Sequence, residues 1–392
     1  MAQVQRRFNE ADDEGESGIV SDALDAEAAA DALRAVWDLE TGLLVAFKAQ
    51  DSLPAAHAHC HVVAMSERLG LTTPRSMMVQ ASTELETFLT NGSAKTSHPF
   101  VLGITNRILN GDPVTSLRAV RQLRERGWAI AVDNPEWGTA ALALLPLINP
   151  DVITLDLPRL DEMEIAHADD VLNAVGAHAE SAGCIVLATG IRTEHDVNRA
   201  RAMGATLGEG ELLDAQQPLT NPLARVSGIA VRPVPTGTDR LRDTPFSIVS
   251  ERRESRAGSR ELLVEMSTLI ERRASRAGSS AVVLSTFQHA KNLRGGLVRT
   301  YNDLSDTAAL VATFVQDVGL NETGNAFTEI HIDEADVLGS QWTVIALSPS
   351  YSAVLAAQQT RAAPDGSATY EFIFSRDQRL AIEAARTLTA RL

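Results

Sequence analysis

Cysteine is almost missing from this chain. Two residues in 392, Cys60 and Cys184, cannot build a disulfide framework or a zinc-ligand spacing, which suits a reducing cytoplasm. Long apolar runs are missing as well: none approaches the roughly 20 residues of a membrane-spanning helix, so no membrane insertion is expected. The opening segment, MAQVQRRFNEADDEGESG, has no apolar signal region, and residues 1–24 read as a disordered acidic tail. Positive charge is scarce in the first part. Residues 1–239 carry 18 Lys and Arg against 33 Asp and Glu, whereas residues 240–392 carry 17 against 18, within a net charge of −16. That balance argues against a nucleic-acid footprint and divides the chain into two modules. Pro218, Pro222, Pro233, Pro235 and Gly237 break regular patterns between Pro218 and Thr244, placing the cut near Arg240 and the modules at 25–239 and 240–392.

With 44% hydrophobic residues, the chain can bury sizeable cores. The first module centres on AIAVDNPEWGTAALALLPLINPDVITLDLPRL, Ala129 to Leu160, where two apolar runs end on Asp133 and Asp156. Such runs, separated by helix-length spacers, read as parallel strands buried on both faces. Acids at strand ends are candidates for metal or acid/base chemistry, or else caps of the following helices. An alanine-rich helix pattern within Ala26 to Gly42 leads into VWDLETGLLVAFKA, with Thr41-Gly42 as a hairpin turn. Further strand candidates are Met77–Ala81, Phe100–Thr105, CIVLATG from Cys184 and the run near Ala205 to Leu207. SLRAVRQLRERG is an amphipathic helix stopped at Gly127. The alternation predicts an α/β parallel barrel.

The order and spacing of these strand ends resemble the EAL domain, the barrel phosphodiesterase family of cyclic di-GMP signalling, over about Asp31 to Pro218. The family's Glu-Ala-Leu is matched by Lys48-Ala49-Gln50, its asparagine strand by Val79-Gln80-Ala81-Ser82, and its Glu-Ile-Thr-Glu by Gly103-Ile104-Thr105-Asn106. Its Asp-Asp-Phe-Gly-Thr-Gly loop is matched by Asp133-Asn134-Pro135-Glu136-Trp137-Gly138 and its Lys-Ile-Asp by Thr154-Leu155-Asp156. Ala188-Thr189-Gly190-Ile191-Arg192 and Glu209-Gly210 stand where the family has Ala-Glu-Gly-Val-Glu and Gln-Gly.

The resemblance implies a two-metal hydrolysis with carboxylates holding the ions. Here Lys48, Gly103, Asn134, Thr189 and Arg192 replace those ligands, Thr154 stands for the catalytic lysine and Ser52 for a phosphate-binding arginine. Asp133 and Asp156 are the acids that remain. No metal, cofactor or catalytic residue is therefore expected. Instead, Lys48 or Arg192 should lie within salt-bridge distance of Asp133, Asp156 or Glu209, occupying the space of a metal.

Other chemical patterns are weaker. His57, His59 and His61 flank Cys60, but only His57 and His61 would share a helix face, which falls short of a metal site. Gly190 and Gly208-Glu209-Gly210 read as turn geometry, not as a phosphate loop.

In the second module, ERRESRAGS from Glu251 recurs as ERRASRAGS from Glu271, around the amphipathic ELLVEMSTLI. The arginines read as a solvated or partner-facing surface. AVVLSTFQ, AALVATFVQ, WTVIALSP and YEFIFS are strand candidates, and helices are expected around Leu262–Ser275, Tyr351–Thr360 and Arg379–Arg391, an α+β or α/β domain. Ala281 to Gln288, Arg299 to Leu304, Trp342 with Leu347-Ser348-Pro349, and Phe374 to Asp377 resemble the DICT domain, a sensor module associated with diguanylate cyclases and two-component systems. Phe287, Gln288, Arg299, Tyr301 and Trp342 are the candidate pocket residues for an unidentified small-molecule ligand.

Together these readings predict a cytoplasmic signalling protein: an inert EAL barrel, paired as a homodimer, fused to a DICT sensor and acting through an unidentified protein partner. The alternatives are a cyclic di-GMP phosphodiesterase with residual activity and a metal-independent nucleotide-binding effector that uses Lys48 and Arg192.

Overall fold

The structure is a computed structural model and describes residues 33–49, 77–80, 101–105, 111–133, 137–216, 243–287, 295–316, 324–360 and 369–392. Eight strands close a barrel in chain order: β1 (Leu33–Asp38), β2 (Leu44–Ala49), β3 (Met77–Gln80), β4 (Val101–Ile104), β5 (Ala129–Asp133), β6 (Val152–Asp156), β7 (Ile185–Thr189) and β8 (Leu207–Gly208). From β2 to β8 every neighbour is parallel. β1 runs antiparallel to both β2 and β8, because the hairpin expected at Thr41-Gly42 reverses the chain.

Around the barrel lie helices α1 (Pro113–Glu125), α2 (Thr139–Ile148), α3 (Leu157–Glu162), α4 (Ile165–Ala182), α5 (Glu194–Ala202) and α6 (Glu211–Gln216). Local signals set their ends. Asp112 caps α1 by accepting the Val114 N–H, Pro113 occupies its first turn, and Gly127 at φ +87° lets the chain turn off it. Thr193 and Asp196 form a reciprocal capping box on α5. α2 is buried on almost every side, as its sequence TAALALLPLI requires of a helix without a polar face.

The second domain is a seven-stranded mixed sheet in the order β12-β11-β10-β13-β14-β15-β9. Its strands are β9 (Arg256–Ser259), β10 (Val282–Phe287), β11 (Leu310–Val315), β12 (Thr328–His331), β13 (Gln341–Leu347), β14 (Ser352–Gln359) and β15 (Thr369–Ser375). Only β10, β11 and β12 are mutually parallel. Helices α8 (Arg260–Ala277) and α9 (Gly296–Ser305) cover one face, packing Leu263, Ile270, Ala274, Tyr301 and Leu304 on it. Helices α7 (Pro245–Ser250) and α10 (Gln378–Thr389) cover the other.

The segment Tyr351–Thr360, expected as a helix, is strand β14. It pairs on both sides, with β13 and β15, and Ser352 through Ala357 are all buried. Alanine-rich composition favours a helix, but two ladders of hydrogen bonds and burial of both faces override that weak preference. The 20-residue repeat also divides: Arg256-Ala257-Gly258-Ser259 is the edge strand β9, whereas Arg276-Ala277 ends α8 and Gly278-Ser279 begins a 3-10 turn.

The two domains share a buried core. α2 lies between the barrel and α10, and cross-domain arginines cap helix ends in both directions. Arg121 of α1 donates to the Ala390 carbonyl just past α10 at 2.7 Å, and Arg386 of α10 donates to the Pro146 carbonyl and Asn149 Oδ1 at the end of α2, both at 2.8 Å. The carbonyls left over at a helix C-terminus are thus satisfied by the neighbouring domain.

Candidate functional site

Strand periodicity builds the barrel mouth. Ala46, Val101, Ala131, Val152, Leu187 and Leu207 belong to the cluster that fills the barrel interior. Two residues further along each strand, on the same face, stand Lys48, Gly103, Asp133, Thr154, Thr189 and Glu209. Alternation therefore carries an apolar core into a polar layer at the C-terminal end of the barrel. β1 reverses the direction, so Arg34, paired in register with Lys48, comes to the same end.

Lys48 Nζ lies 2.7 Å from Asp133 Oδ2 and 3.9 Å from Glu209 Oε2, with the three side chains 16%, 9% and 17% exposed. Burial raises the Glu209 carboxyl above the ordinary glutamate range; the Lys48 charge opposes that shift and the Asp133 charge adds to it. Arg34 is a further cation acting on Glu209. Glu209 is held by its backbone, which donates to the Ala188 carbonyl at 2.9 Å and accepts the Ile191 N–H at 3.1 Å. Gly210 permits that approach, since a Cβ there would run into the Ile191 carbonyl. Thr154 pairs in register with Asp133, and its hydroxyl is buried with no hydrogen-bond partner among the described residues.

The structure gathers Lys48, Asp133 and Glu209 but leaves two other candidates out. Asp156 caps α3 by accepting the Arg159 N–H at 3.0 Å, so its carboxylate serves the helix end. Arg192 is exposed, and its backbone N–H belongs to the turn around Asp196. Gly103 is buried in β4 and Thr189 sits opposite Asp156 in the ladder. The Gln80 side chain, Asn134, Ser52 and the His57–His61 segment lie outside the described residues, as does Gln288.

The donor set does not fit a divalent metal. The carboxylate at the end of β5 already faces an ammonium group, and no three His, Cys, Asp or Glu side chains gather as a metal site among the described residues. A doubly charged ion about 5 Å from Lys48 would be repelled by roughly 6 to 7 kcal/mol at an effective dielectric near 20, before screening. The Lys48 charge thus opposes a divalent ion at that place.

In the sensor-like domain, Tyr301 is fully buried between Phe287 and Phe327, edge-on to both rings at centroid distances of 5.7 and 5.8 Å. Its hydroxyl lies 2.6 Å from Ser285 Oγ and donates to Glu271 Oε1 at 3.1 Å. Burial pushes the Glu271 carboxyl up, partly offset by the Tyr301 hydrogen bond. Trp342 sits apart, half-buried, with its indole N–H on Ser267 Oγ and its ring edge-on to Tyr370. Arg299 is exposed on α9. Of the four expected pocket residues that are described, Phe287 and Tyr301 meet while Arg299 and Trp342 lie apart, and the polar partners of Tyr301 are Glu271 and Ser285. Glu271 carried one signal in the sequence, its place on the buried stripe Leu263, Ser267, Ile270 and Ala274.

With this geometry in view, residues 70–216 match the EAL domain model. Residues 248–360 match the sensory domain in diguanylate cyclases and two-component systems, DICT. The chain carries an EAL domain joined to a DICT sensory domain. The first match begins after the β1–β2 hairpin that bears Lys48, and the second ends before β15 and α10, which complete the sheet and its cover. Among solved structures, the chain is similar to the cAMP-bound EAL enzyme Bd1971 at 16% identity, covering 54% of this chain and 69% of that one, TM-score 0.39. It is also similar to the EAL domain of Mycobacterium smegmatis DcpA (20% identity, 46% and 87% covered, TM-score 0.37). A third is Klebsiella pneumoniae BlrP1 in its manganese/cyclic di-GMP complex (17% identity, 46% and 54% covered, TM-score 0.37). No curated protein matches the chain.

Proposed function

We propose that this is a catalytically inactive EAL–DICT regulator of cyclic di-GMP signalling, cytoplasmic, whose barrel works as a protein-contacting scaffold while the DICT domain senses a small molecule. The observation that supports it is the 2.7 Å pair of Lys48 with Asp133, an internal cation where the phosphodiesterase chemistry of the family needs a metal. The homodimer is proposed to form through the barrel, since closed symmetric pairs are the commonest soluble assemblies. No nucleic acid is expected as partner.

The test is cyclic di-GMP hydrolysis and titration calorimetry with and without manganese. The native chain is expected to show no turnover and no metal-dependent thermal shift. A ligand at a hundred times its Kd would add about 2.7 kcal/mol of stability, an easily read shift. Lys48→Glu places a third carboxylate beside Asp133 and Glu209 and is expected to create a manganese-dependent shift that the native chain lacks. Manganese-dependent hydrolysis by the native chain would restore the phosphodiesterase reading. Metal-free binding of cyclic di-GMP, lost in Lys48→Glu, would favour a nucleotide-binding effector.

A further inference from the structure

The outward face of α8 does not look like an ordinary solvated helix surface. Leu262 and Leu269, seven residues apart on one stripe, are 38% and 45% exposed. On the same face Glu261 and Glu265 precede Leu269, and Arg272 and Arg276 follow it. Among the described residues Glu265, Arg272 and Arg276 have no ion-pair partner. Within one helix this arrangement is unfavourable, because Glu261 with Glu265 and Arg272 with Arg276 are like charges at i, i+4. The helix dipole explains only the outermost of them, its effect fading within the first and last turns, whereas Glu265 and Arg272 lie further in.

A second copy of the same helix resolves every one of these features. Placed antiparallel with a two-fold axis at Leu269, the two copies set Leu269 against Leu269 and Leu262 along the stem of Arg276. Glu265 stands four residues before the axis and Arg272 three after, so each faces the other across the pair; Glu261 and Arg276 match in the same way, at eight and seven. An acidic half, an apolar centre and a basic half on one face are self-complementary only when antiparallel, the condition for an isologous interface. We infer that α8 of the DICT domain is a homodimer interface, closed by Leu269 and by crossed Glu265–Arg272 pairs. It stands independently of any pairing of the barrels.

The test uses the full chain with Cys60 and Cys184 replaced by serine. Leu269→Cys is expected to give a disulfide-linked dimer on mild oxidation, while Val337→Cys, more accessible at 61% exposure against 45%, gives none. Added singly, Glu265→Arg or Arg272→Glu should abolish that link and raise the dimer dissociation constant by at least about tenfold in sedimentation, since each makes two like-charge contacts. An equimolar mixture of the two reversed chains should restore the link, now between unlike copies. Failure of Leu269→Cys to link above the Val337→Cys level, or a link indifferent to both reversals, would overturn the interface. So would single reversals whose loss is not recovered on mixing. Binding to anionic vesicles that Arg272→Glu abolishes, with no linked dimer, would assign the arginines to a membrane surface instead.

Discussion

At the scale of single residues, the two buried carboxylates that burial shifts upward behave differently because of their partners. Glu209 has a lysine 3.9 Å away; among the described residues Glu271 has the Tyr301 hydroxyl, a neutral donor. A carboxyl raised above its unfolded value contributes stability below the ordinary glutamate range and loses it as pH rises through the folded value. Glu271→Gln keeps the acceptor for Tyr301 and removes the charge. It is therefore expected to raise Tm at pH 7 to 8 and to leave it unchanged near pH 4, read by thermal melts across that window. Tyr301→Phe leaves Glu271 and Ser285 without their shared partner and should cost about 1–3 kcal/mol in urea unfolding. Lys48 was legible as a cation at a ligand position because the strand pattern and the EAL resemblance placed it there. Glu271 was not, because a glutamate at the head of an arginine-rich repeat reads as solvent-facing until its helix is seated on a sheet.

At the scale of elements, capping decides what the strand-end acids do. Asp133 ends β5 and its carboxylate faces Lys48; Asp156 is followed at once by α3 and is used as its cap. Asp156→Ala should therefore cost about 1 kcal/mol, the ordinary worth of an N-cap, and should not alter the response of the native chain to manganese. A larger, metal-linked effect in calorimetry would return Asp156 to the site. Helix α2 could be read as buried all round from its composition, whereas β14 could not be read as a strand. SAVLAAQQ has too little β-branching to resist a helix, and only its position between β13 and β15 makes it extended.

At the scale of the whole molecule, the barrel and the sensor domain are joined by a shared core and by arginines that reach across to each other's helix ends. Such hydrogen bonds from a charged donor are worth about 1.5–3 kcal/mol each. The double variant Arg121→Ala, Arg386→Ala is expected to split one cooperative calorimetric transition into two, or to broaden it markedly, while circular dichroism at 20 °C stays native. A single sharp transition in that variant would mean that the apolar part of the interface suffices. Under the proposed scaffold function this contact is the physical route: a change in the packing of α10 on the sheet would bear directly on α2 and the barrel.

The sequence by itself determined the elements whose information is local: the βα alternation, the hairpin at Thr41-Gly42 and the cation at position 48. These follow from side-chain period, backbone preference and short-range hydrogen bonds, all carried by neighbours along the chain. Only the tertiary structure decided which charges meet. The same Arg-Ala-Gly-Ser is an edge strand at 256–259 and the end of a helix at 276–279, because one copy has β15 to pair with and the other continues an amphipathic helix over the sheet. Lys48 and Asp133 likewise come from distant parts of the chain. Closing β1 through β8 into a ring brings their strand ends to one mouth, where a lysine meets two carboxylates.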